Sequence, residues 1–354
     1  MIGTNLVRTL LLIGCVLFYP LSAVAGFEDA LGAYRAKDYP KAITEARQAA
    51  ATGDARACFL LGAMYQGGLG VAASPSEAAA WYEKAAQGGV LGSFAKLAQI
   101  YARGDGVPKN PEKALAYARQ SAQLGDPEGM FFLHAFLKAT SLSYLDASGK
   151  ADQTKYQKLS SRPLSDRVLD VEAQDSLYRS SDKGYPLAIL TLAIAFGGTV
   201  GDNNRERMLK LTSKIPQHTY KALQNYEKVA RHINGLGQSL TTPQLFYDAQ
   251  VSQMFAAMLK TCGLQESKEA IKSAAPELTS IAIAKPLSGA TYLPSKVPSY
   301  EHSYLVAGEW EEDWTYRGCN RTGTVRVKFS ADGLGGAHFS SEQVGKDIPG
   351  LVKQ

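Results

Sequence analysis

A period of 36 residues runs through the first third of the chain and restricts the possible folds more than any other feature. Gly53, Gly89 and Gly125 are separated by 36 residues, and so are Tyr65 and Tyr101. A fixed period of roughly 20 to 50 residues is typical of stacked supersecondary units, because each unit buries its apolar face only against its neighbours. The period therefore predicts a repeat architecture before any single residue is interpreted.

Within one period the residues predict two helices joined by a glycine-rich loop. Ala57, Leu61 and Tyr65 recur every four residues and form one apolar stripe. The loop at 67–70 ends that helix, since glycine tolerates the backbone angles of a C-terminal cap, and Pro75 suits the first turn of the next helix. We predict that the core of the two clearest repeats contains Leu61, Tyr65, Trp81, Leu97, Tyr101 and Tyr117.

Three strings in this unit resemble a known repeat family. LGAMY at 61–65, GV at 70–71 and AAWYEKAA at 79–86 resemble the Sel1-like repeat, a branch of the tetratricopeptide-like superfamily. The resemblance is specific over 55–89 and 91–125 and looser in three further units, so that it covers about half of the chain. It implies a mainly α fold, a right-handed α–α solenoid of helix-turn-helix repeats, and a role in binding protein partners.

The N-terminus has the features of a secretory signal. Arg8 precedes an apolar run at 10–21, and Ala25 completes a small-x-small cleavage site. The run is shorter than the ~20 residues that span a bilayer, so we expect cleavage after Ala25 and a periplasmic or secreted protein. The residues LIGC at 12–15 resemble a bacterial lipobox, which would attach a lipid to Cys15. Because the residues after Cys15 stay apolar, cleavage after Ala25 is favoured, and membrane attachment is expected only if Cys15 is lipidated.

The remaining chain predicts further segments. We assign 1–25 to the signal peptide, 26–215 to the solenoid, 216–290 to a helical extension and 291–354 to a small antiparallel β module. A polar insertion at about 140–171 is either a flexible decoration or a loop laid across the groove, and plain tolerance of extra residues is the favoured interpretation.

The β module is predicted from a change of period. Prolines at 286, 294 and 298 indicate a linker, after which apolar and polar residues alternate at 310–317 and at 324–329, with a third strand at 337–341. Glu311 and Asp313 are complementary in charge to Arg326 and Lys328, as cross-strand neighbours would be.

Removal of the signal leaves three cysteines. Cys58 lies in an apolar helical stretch, and we predict a buried thiol there. Cys262 and Cys319 either form a disulfide, which export permits, or remain two separate buried thiols. The disulfide is the favoured alternative, and it would tie the small β module to the preceding helix.

The sequence contains no convincing pattern of catalytic or metal-binding residues. The five histidines are scattered, and none has metal-ligand spacing with Cys, Asp or Glu. The acidic residues at 309–313 alternate between two faces, which favours a solvated or salt-bridged strand over a catalytic site. A net charge of +5 without a Lys/Arg run gives no argument for nucleic acid. We therefore expect no catalytic residue, no metal and no cofactor.

The resemblance leaves a binding surface as the expected functional element. In the superfamily the first helix of each unit lines the concave face, which makes Lys96, Gln99, Arg103 and Phe132 candidate contacts with a protein or peptide. The prediction is an exported, non-enzymatic adaptor of the bacterial cell envelope. Alternatives are a wall- or polysaccharide-binding or -processing protein that uses the acidic cluster, a lipid-anchored assembly factor, and a solenoid that displays the β module as the binding part.

Overall fold

The computed structural model describes residues 26–216, 221–262 and 275–341. Cys15 and the predicted cleavage site after Ala25 lie outside these residues. The chain divides into two compact units, the first ending at Tyr117 and the second beginning at Ala118. The predicted mainly α architecture, with helical repeats and a small C-terminal antiparallel sheet, is confirmed.

The first unit consists of short helices of similar length that pack as successive pairs. They are α1 (Phe27–Arg35), α2 (Tyr39–Ala51), α3 (Ala55–Gly67), α4 (Pro75–Gln87) and α5 (Leu91–Arg103), and α6 (Pro111–Gln123) contains the boundary between the units. Their starts follow the expected capping chemistry: the Asp54 carboxylate accepts from the Arg56 N–H, and the Ser74 hydroxyl accepts from the Glu77 N–H.

Glycines fix the loop of each repeat. Gly68 and Gly104 end α3 and α5 in the left-handed conformation, with φ of 64° and 82°. Gly70 has φ of 74°, and a Cβ at this position would lie 2.6 Å from the carbonyl oxygen of Tyr39 at the start of α2. The loop of one repeat therefore touches the preceding helical pair so closely that a side chain cannot be accommodated.

The second unit begins within α6 and contains further helices and the whole sheet. Its remaining helices are α7 (Pro127–Thr140), α8 (Gln153–Ser160), α9 (Val168–Asp182), α10 (Pro186–Gly198), α11 (Asn204–Thr212), α12 (Lys221–Leu236) and α13 (Pro243–Cys262), with short 3₁₀ turns at Leu164–Asp166 and Pro298–Tyr300. α9 packs against both α7 and α10. These helices share an apolar core that includes Leu177, Leu192 and Phe196.

Four strands form one antiparallel sheet in the order β1-β2-β3-β4. They are β1 (Glu277–Tyr292), β2 (Leu305–Gly318), β3 (Arg321–Ala331) and β4 (Ala337–Ser341). β1 lies where the sequence predicted the end of a helical extension and a linker, and that part of the prediction is wrong. The prediction took Pro286 as a sign of a linker, but this proline lies in an edge strand, where the pairing register shifts between Lys285 and Ser288. Edge strands and bulges tolerate a residue that cannot donate a ladder hydrogen bond.

The inner face of the sheet packs on α13. Trp310, Trp314 and Tyr316 are fully buried, and the Trp314 ring lies 5.1 Å from the Phe246 ring of α13. On the outer face, Asp313 pairs with Arg326 and Glu311 lies opposite Lys328, as the charge pattern predicted.

The turn between β2 and β3 is covalently attached to the helices. Cys319 and Asn320 both have positive φ (48° and 58°), as a two-residue turn of type I′ requires. Cys319 is bonded to Cys262 at the end of α13. Cys58 is a free, buried thiol, and burial raises its pKa.

Glu312 differs from its acidic neighbours. The sequence predicted a solvated or salt-bridged strand, yet the Glu312 side chain faces the core and its exposed fraction is 0%. Its carboxylate accepts hydrogen bonds from Trp310 Nε1 (3.2 Å), Trp314 Nε1 (2.9 Å), the Leu240 N–H (2.8 Å) and the Ser239 hydroxyl (2.9 Å). Burial raises the pKa of this carboxyl, and the four donors oppose the shift. Glu312 thus joins β2 to the α12–α13 connection.

The insertion at 140–171 is an ordered part of the second unit rather than the loose decoration that its composition favoured. It contains α8, and the Tyr156 hydroxyl donates to Asp332 in the turn between β3 and β4. Arg167, buried to 3% exposure, donates to the carbonyl oxygens of Gly333 in the same turn and of Ser160 at the end of α8. These bonds attach the insertion to the sheet.

Candidate binding groove

A groove with a cavity volume of about 650 Å³ lies within the second unit. Its walls come from the last turns of α6, from α7, from one face of α9, from Leu164 in the insertion and from the connection between β1 and β2 at 294–296. We call it the α9 groove, because α9 contributes residues along its whole length. All the lining residues belong to the second unit, and none of the described residues of the first unit (26–117) is among them.

The floor of the α9 groove is apolar. Met130 and Leu133 lie one turn apart on α7 and are buried, with 6% and 4% of their surfaces exposed. Two further apolar side chains form a solvent-facing lip: Leu164 is 40% exposed and Val168 is 69% exposed. Exposed apolar side chains beside a concave apolar floor are typical of binding sites rather than of ordinary protein surface.

The first charged pair of the groove is internally neutralised. The Arg119 guanidinium donates two hydrogen bonds of 2.8 Å to the two carboxylate oxygens of Glu172 on α9. This side-chain bond raises the pKa of Arg119 above its already high value. The pair closes one side of the groove and contributes no net charge to it.

The carboxylate of Asp175 anchors the other wall. It is buried, and its two oxygens accept from the Ser295 hydroxyl (2.7 Å) and from the Lys296 N–H (3.0 Å). These bonds hold the connection between β1 and β2 against α9. From the sequence, the prolines in this connection indicate a linker, and the wall that the connection forms along the α9 groove was not predicted.

Aromatic contacts fix the same connection further along α9. The Tyr300 ring stacks on Tyr178 with centroids 4.2 Å apart, and the Tyr300 hydroxyl donates to Asp182. Burial is the main cause of the raised pKa of both phenols, which for Tyr178 is about 12. The groove is therefore built on residues whose positions are set by packing on both sides of α9.

Two cations of the groove have no side-chain partner among the described residues. The side chains of Arg179 and Lys296 are exposed, and within 26–216, 221–262 and 275–341 neither makes a hydrogen bond or an ion pair. Arg179 lies one helical turn beyond Asp175, whose carboxylate is bonded to the backbone of Lys296. The two positive charges consequently lie at the same end of the groove.

The candidate contact residues lie elsewhere. Lys96 and Gln99 are half-buried on α5, and Arg103 is exposed, with its guanidinium 4.0 Å from the Asp105 carboxylate. Phe132 is half-buried on α7 between the rings of Phe131 and Phe136. None of the four lines the α9 groove, and their contact with a partner stays a prediction.

The residues proposed for the repeat core divide into two groups. Leu61, Leu97 and Tyr101 are buried, whereas Tyr65, Trp81 and Tyr117 are half-buried. Tyr101 donates to Glu83 at 2.8 Å and stacks on Tyr117 with centroids 5.7 Å apart. The acceptor Glu83 is the main cause of the rise in the pKa of Tyr101 to about 12.

Metal-binding clusters and membrane-spanning helices are both absent from the described residues. No group of three or more His, Cys, Asp or Glu side chains there is arranged to hold a metal ion. Among the helices of the same residues, none combines the length and the apolar character needed to cross a membrane.

Comparison with solved structures found partial similarity at low sequence identity. A protective antigen of uropathogenic Escherichia coli with an SLR fold is 17% identical over 66% of this chain and 47% of its own, with a TM-score of 0.43. This chain thus spans about half the length of that antigen. A Sel1 repeat protein from Oxalobacter formigenes is 19% identical over 64% of this chain and 96% of its own, with a TM-score of 0.37.

Comparison of sequences gives a more specific result for the periodic region. A search of curated proteins found no match. A family model for the Sel1 repeat matches residues 55–90 and 95–126, the segments in which the 36-residue period is clearest. The resemblance found in the sequence is thereby confirmed: residues 55–90 and 95–126 are Sel1 repeats.

Proposed function

We propose that this protein is an exported, non-enzymatic scaffold of the bacterial cell envelope that binds a protein or peptide partner in the α9 groove. Sel1 repeats generally mediate protein–protein interactions. The observation that carries the proposal is the groove itself, a concave apolar floor with an exposed apolar lip at Leu164 and Val168. A peptide side chain placed there would remove apolar surface from water, worth roughly 25 cal/mol per Å².

Two features support export. The disulfide between Cys262 and Cys319 is typical of proteins that mature in an oxidising compartment. The N-terminal sequence, with Arg8, the apolar run and the cleavage site at Ala25, is typical of a secretory signal. Mass spectrometry of the purified protein distinguishes the two forms of export: a chain beginning at Gly26 supports cleavage, and a lipid on Cys15 would show membrane anchoring instead.

The acidic strand gives little support to the polysaccharide-processing alternative. Glu311 and Asp313 lie beside the cations of β3, and Glu312 is buried under two tryptophans. A general acid or base must reach its substrate within hydrogen-bonding distance, which a fully covered carboxylate cannot do.

Capture experiments with paired variants test the binding proposal. Val168→Asp places a charge on the exposed lip of the groove, and Val251→Asp makes the same change on α13, where Val251 is 60% exposed and outside the groove. Both variants and the parent chain would be crosslinked in envelope extract and their partners identified by mass spectrometry. We expect a partner that the parent and Val251→Asp retain and that Val168→Asp loses. A partner that Val168→Asp retains equally would refute the α9 groove as the binding site.

A further inference from the structure

One face of α9 lines the groove, and this face is apolar at its N-terminal end and cationic at its C-terminal end. Val168, Glu172, Asp175 and Arg179 all line the groove, at spacings of three or four residues that place them on one side of the helix. Val168, beside Leu164, makes the N-terminal end apolar. Arg179, beside Lys296, makes the C-terminal end cationic. A ligand that lies along α9 therefore meets two different surfaces in a fixed order.

The charges of the groove do not cancel. Its three cations are Arg119, Arg179 and Lys296, and its two carboxylates are Glu172 and Asp175. Glu172 is occupied by Arg119, and Asp175 is buried behind the connection that carries Lys296. A ligand consequently meets two exposed cations, Arg179 and Lys296, which are unpaired within the described part of the chain, and the groove retains one net positive charge. This field favours a carboxylate at the C-terminal end of α9.

The separation of the two ends sets a spacing. Val168 and Arg179 are 11 residues apart on α9, which corresponds to about 16 Å at 1.5 Å per residue. An extended peptide advances about 3.3 Å per residue, so about five residues of peptide cover the same distance.

Resting on the proposed function, we infer that the partner of the α9 groove is an extended peptide segment in which an apolar side chain and an acidic side chain are about five residues apart. The apolar side chain contacts Val168 and Leu164 over the floor at Leu133, and the acidic side chain pairs with Arg179 and Lys296. Leu164 comes from the insertion and Lys296 from the β1–β2 connection. The selectivity is therefore a property of this chain rather than of the repeat pattern.

An array of peptides tests this inference on the full chain from Gly26 onward. Each peptide carries one Leu and one Glu separated by one to eight Gly/Ser residues, with both termini blocked so that no terminal charge contributes. Fluorescence polarisation measures binding at low salt and at high salt, across which the Debye length falls from about 30 Å at 0.01 M to about 3 Å at 1 M. We expect the tightest binding with about four intervening residues, weakening at high salt.

Charge reversal supplies the matched comparison. Arg179→Glu should weaken the best peptide about tenfold and leave its Glu→Gln analogue unaffected, because the variant removes attraction for a carboxylate only. Lys183→Glu makes the same charge reversal one turn further along, at the exposed residue that directly follows α9 and lies outside the groove, and should have little effect. Circular dichroism confirms that the variants remain folded.

The outcomes separate this inference from the proposed function. If peptides without Glu bind as well and Val168→Asp still abolishes that binding, the groove binds peptides but the inferred selectivity is wrong. If binding occurs at every spacing alike, the alignment along α9 is wrong. If Val168→Asp leaves all binding intact, both the inference and the groove proposal fail.

Discussion

Replacement of Glu312 by Gln should destabilise the second unit far more than the same change at Glu311, its neighbour on β2. The two residues face opposite sides of one strand: Glu312 is fully buried, and Glu311 lies on the outer face. In the Glu312→Gln variant, the side-chain carbonyl oxygen can still accept from Trp310 and Leu240. The new amide NH₂ group then replaces the oxygen that accepts from Trp314 Nε1 at 2.9 Å. The amide N–H and the indole N–H are both donors, so the indole loses its acceptor.

The size of the effect follows from the donors that lose their acceptor. A buried donor without a partner costs about 1–3 kcal/mol, so Glu312→Gln, which orphans the indole N–H of Trp314, should cost about 2 kcal/mol. Glu312→Ala removes the acceptor of three N–H groups, since the Ser239 hydroxyl retains a contact of 2.6 Å with Thr241, and should cost about 3 kcal/mol or more. Glu311→Gln weakens outer-face ion pairs with N–O distances of 3.9 Å, which are worth about 0–1 kcal/mol.

Urea unfolding followed by tryptophan emission measures these differences directly. The chain has three tryptophans, and a Trp81→Phe background leaves Trp310 and Trp314, which both donate to Glu312. The emission then reports the environment of the carboxylate as well as unfolding. If Glu312→Gln unfolds at the same urea concentration as Glu311→Gln, with the same slope, the carboxylate does not hold the two indoles and the reasoning is refuted.

Further predictions concern the covalent link, the repeat loops and the pH dependence. The Cys262–Cys319 bond closes a separation of 57 residues, so the Cys262→Ala and Cys319→Ala double variant should lose up to about 4 kcal/mol in urea unfolding; an unchanged midpoint would contradict this. Gly70→Ala should lower the thermal midpoint more than Gly89→Ala, since both have positive φ but only Gly70 has a neighbour in the way, and equal midpoints would exclude a steric cause. Burial lowers the pKa of His134 to about 4. The unfolded chain, with a His pKa near 6.5, binds more protons between these values, so stability falls as the pH is lowered through this range, and His134→Gln should remove about 2–3 kcal/mol of the loss between about pH 7 and about pH 4.5.

The repeats could be predicted from sequence because their determinants are local. Ala57, Leu61 and Tyr65 share a helical face whatever the rest of the chain does, and the loop glycines Gly70 and Gly106 each contact the preceding helical pair at the same sequence distance. The period-two pattern likewise placed Glu312 on the same face as Trp310 and Trp314. The sequence prediction was nevertheless a solvated or salt-bridged strand, which is wrong for Glu312 because the face that it shares with the two tryptophans is the buried one.

The groove could not be predicted in the same way. Leu164, Asp175 and Lys296 come from an insertion, a helix and a strand connection, and each looks ordinary in its own segment. The hydrogen bonds from Ser295 and Lys296 to Asp175, together with the stacking of Tyr300 on Tyr178, bring the connection onto α9. Contacts between residues more than a hundred positions apart have no signature in the spacing of one sequence.

The same long-range bonds imply that the sheet and the groove are mechanically linked. α9 is attached to the β1–β2 connection by Asp175 and by the stacking of Tyr178 on Tyr300, and its N-terminal end follows Arg167, which donates to the β3–β4 turn. A fragment that starts at residue 291 would contain only the last residues of β1 and would lack Arg167, Asp175 and Tyr178, to which the connection and the turn are bonded. Because such bonds hold the wall that carries Lys296, loss of the sheet should disorder the cationic end of the groove. The sheet therefore acts as a structural support for the binding surface, whether or not it binds anything itself.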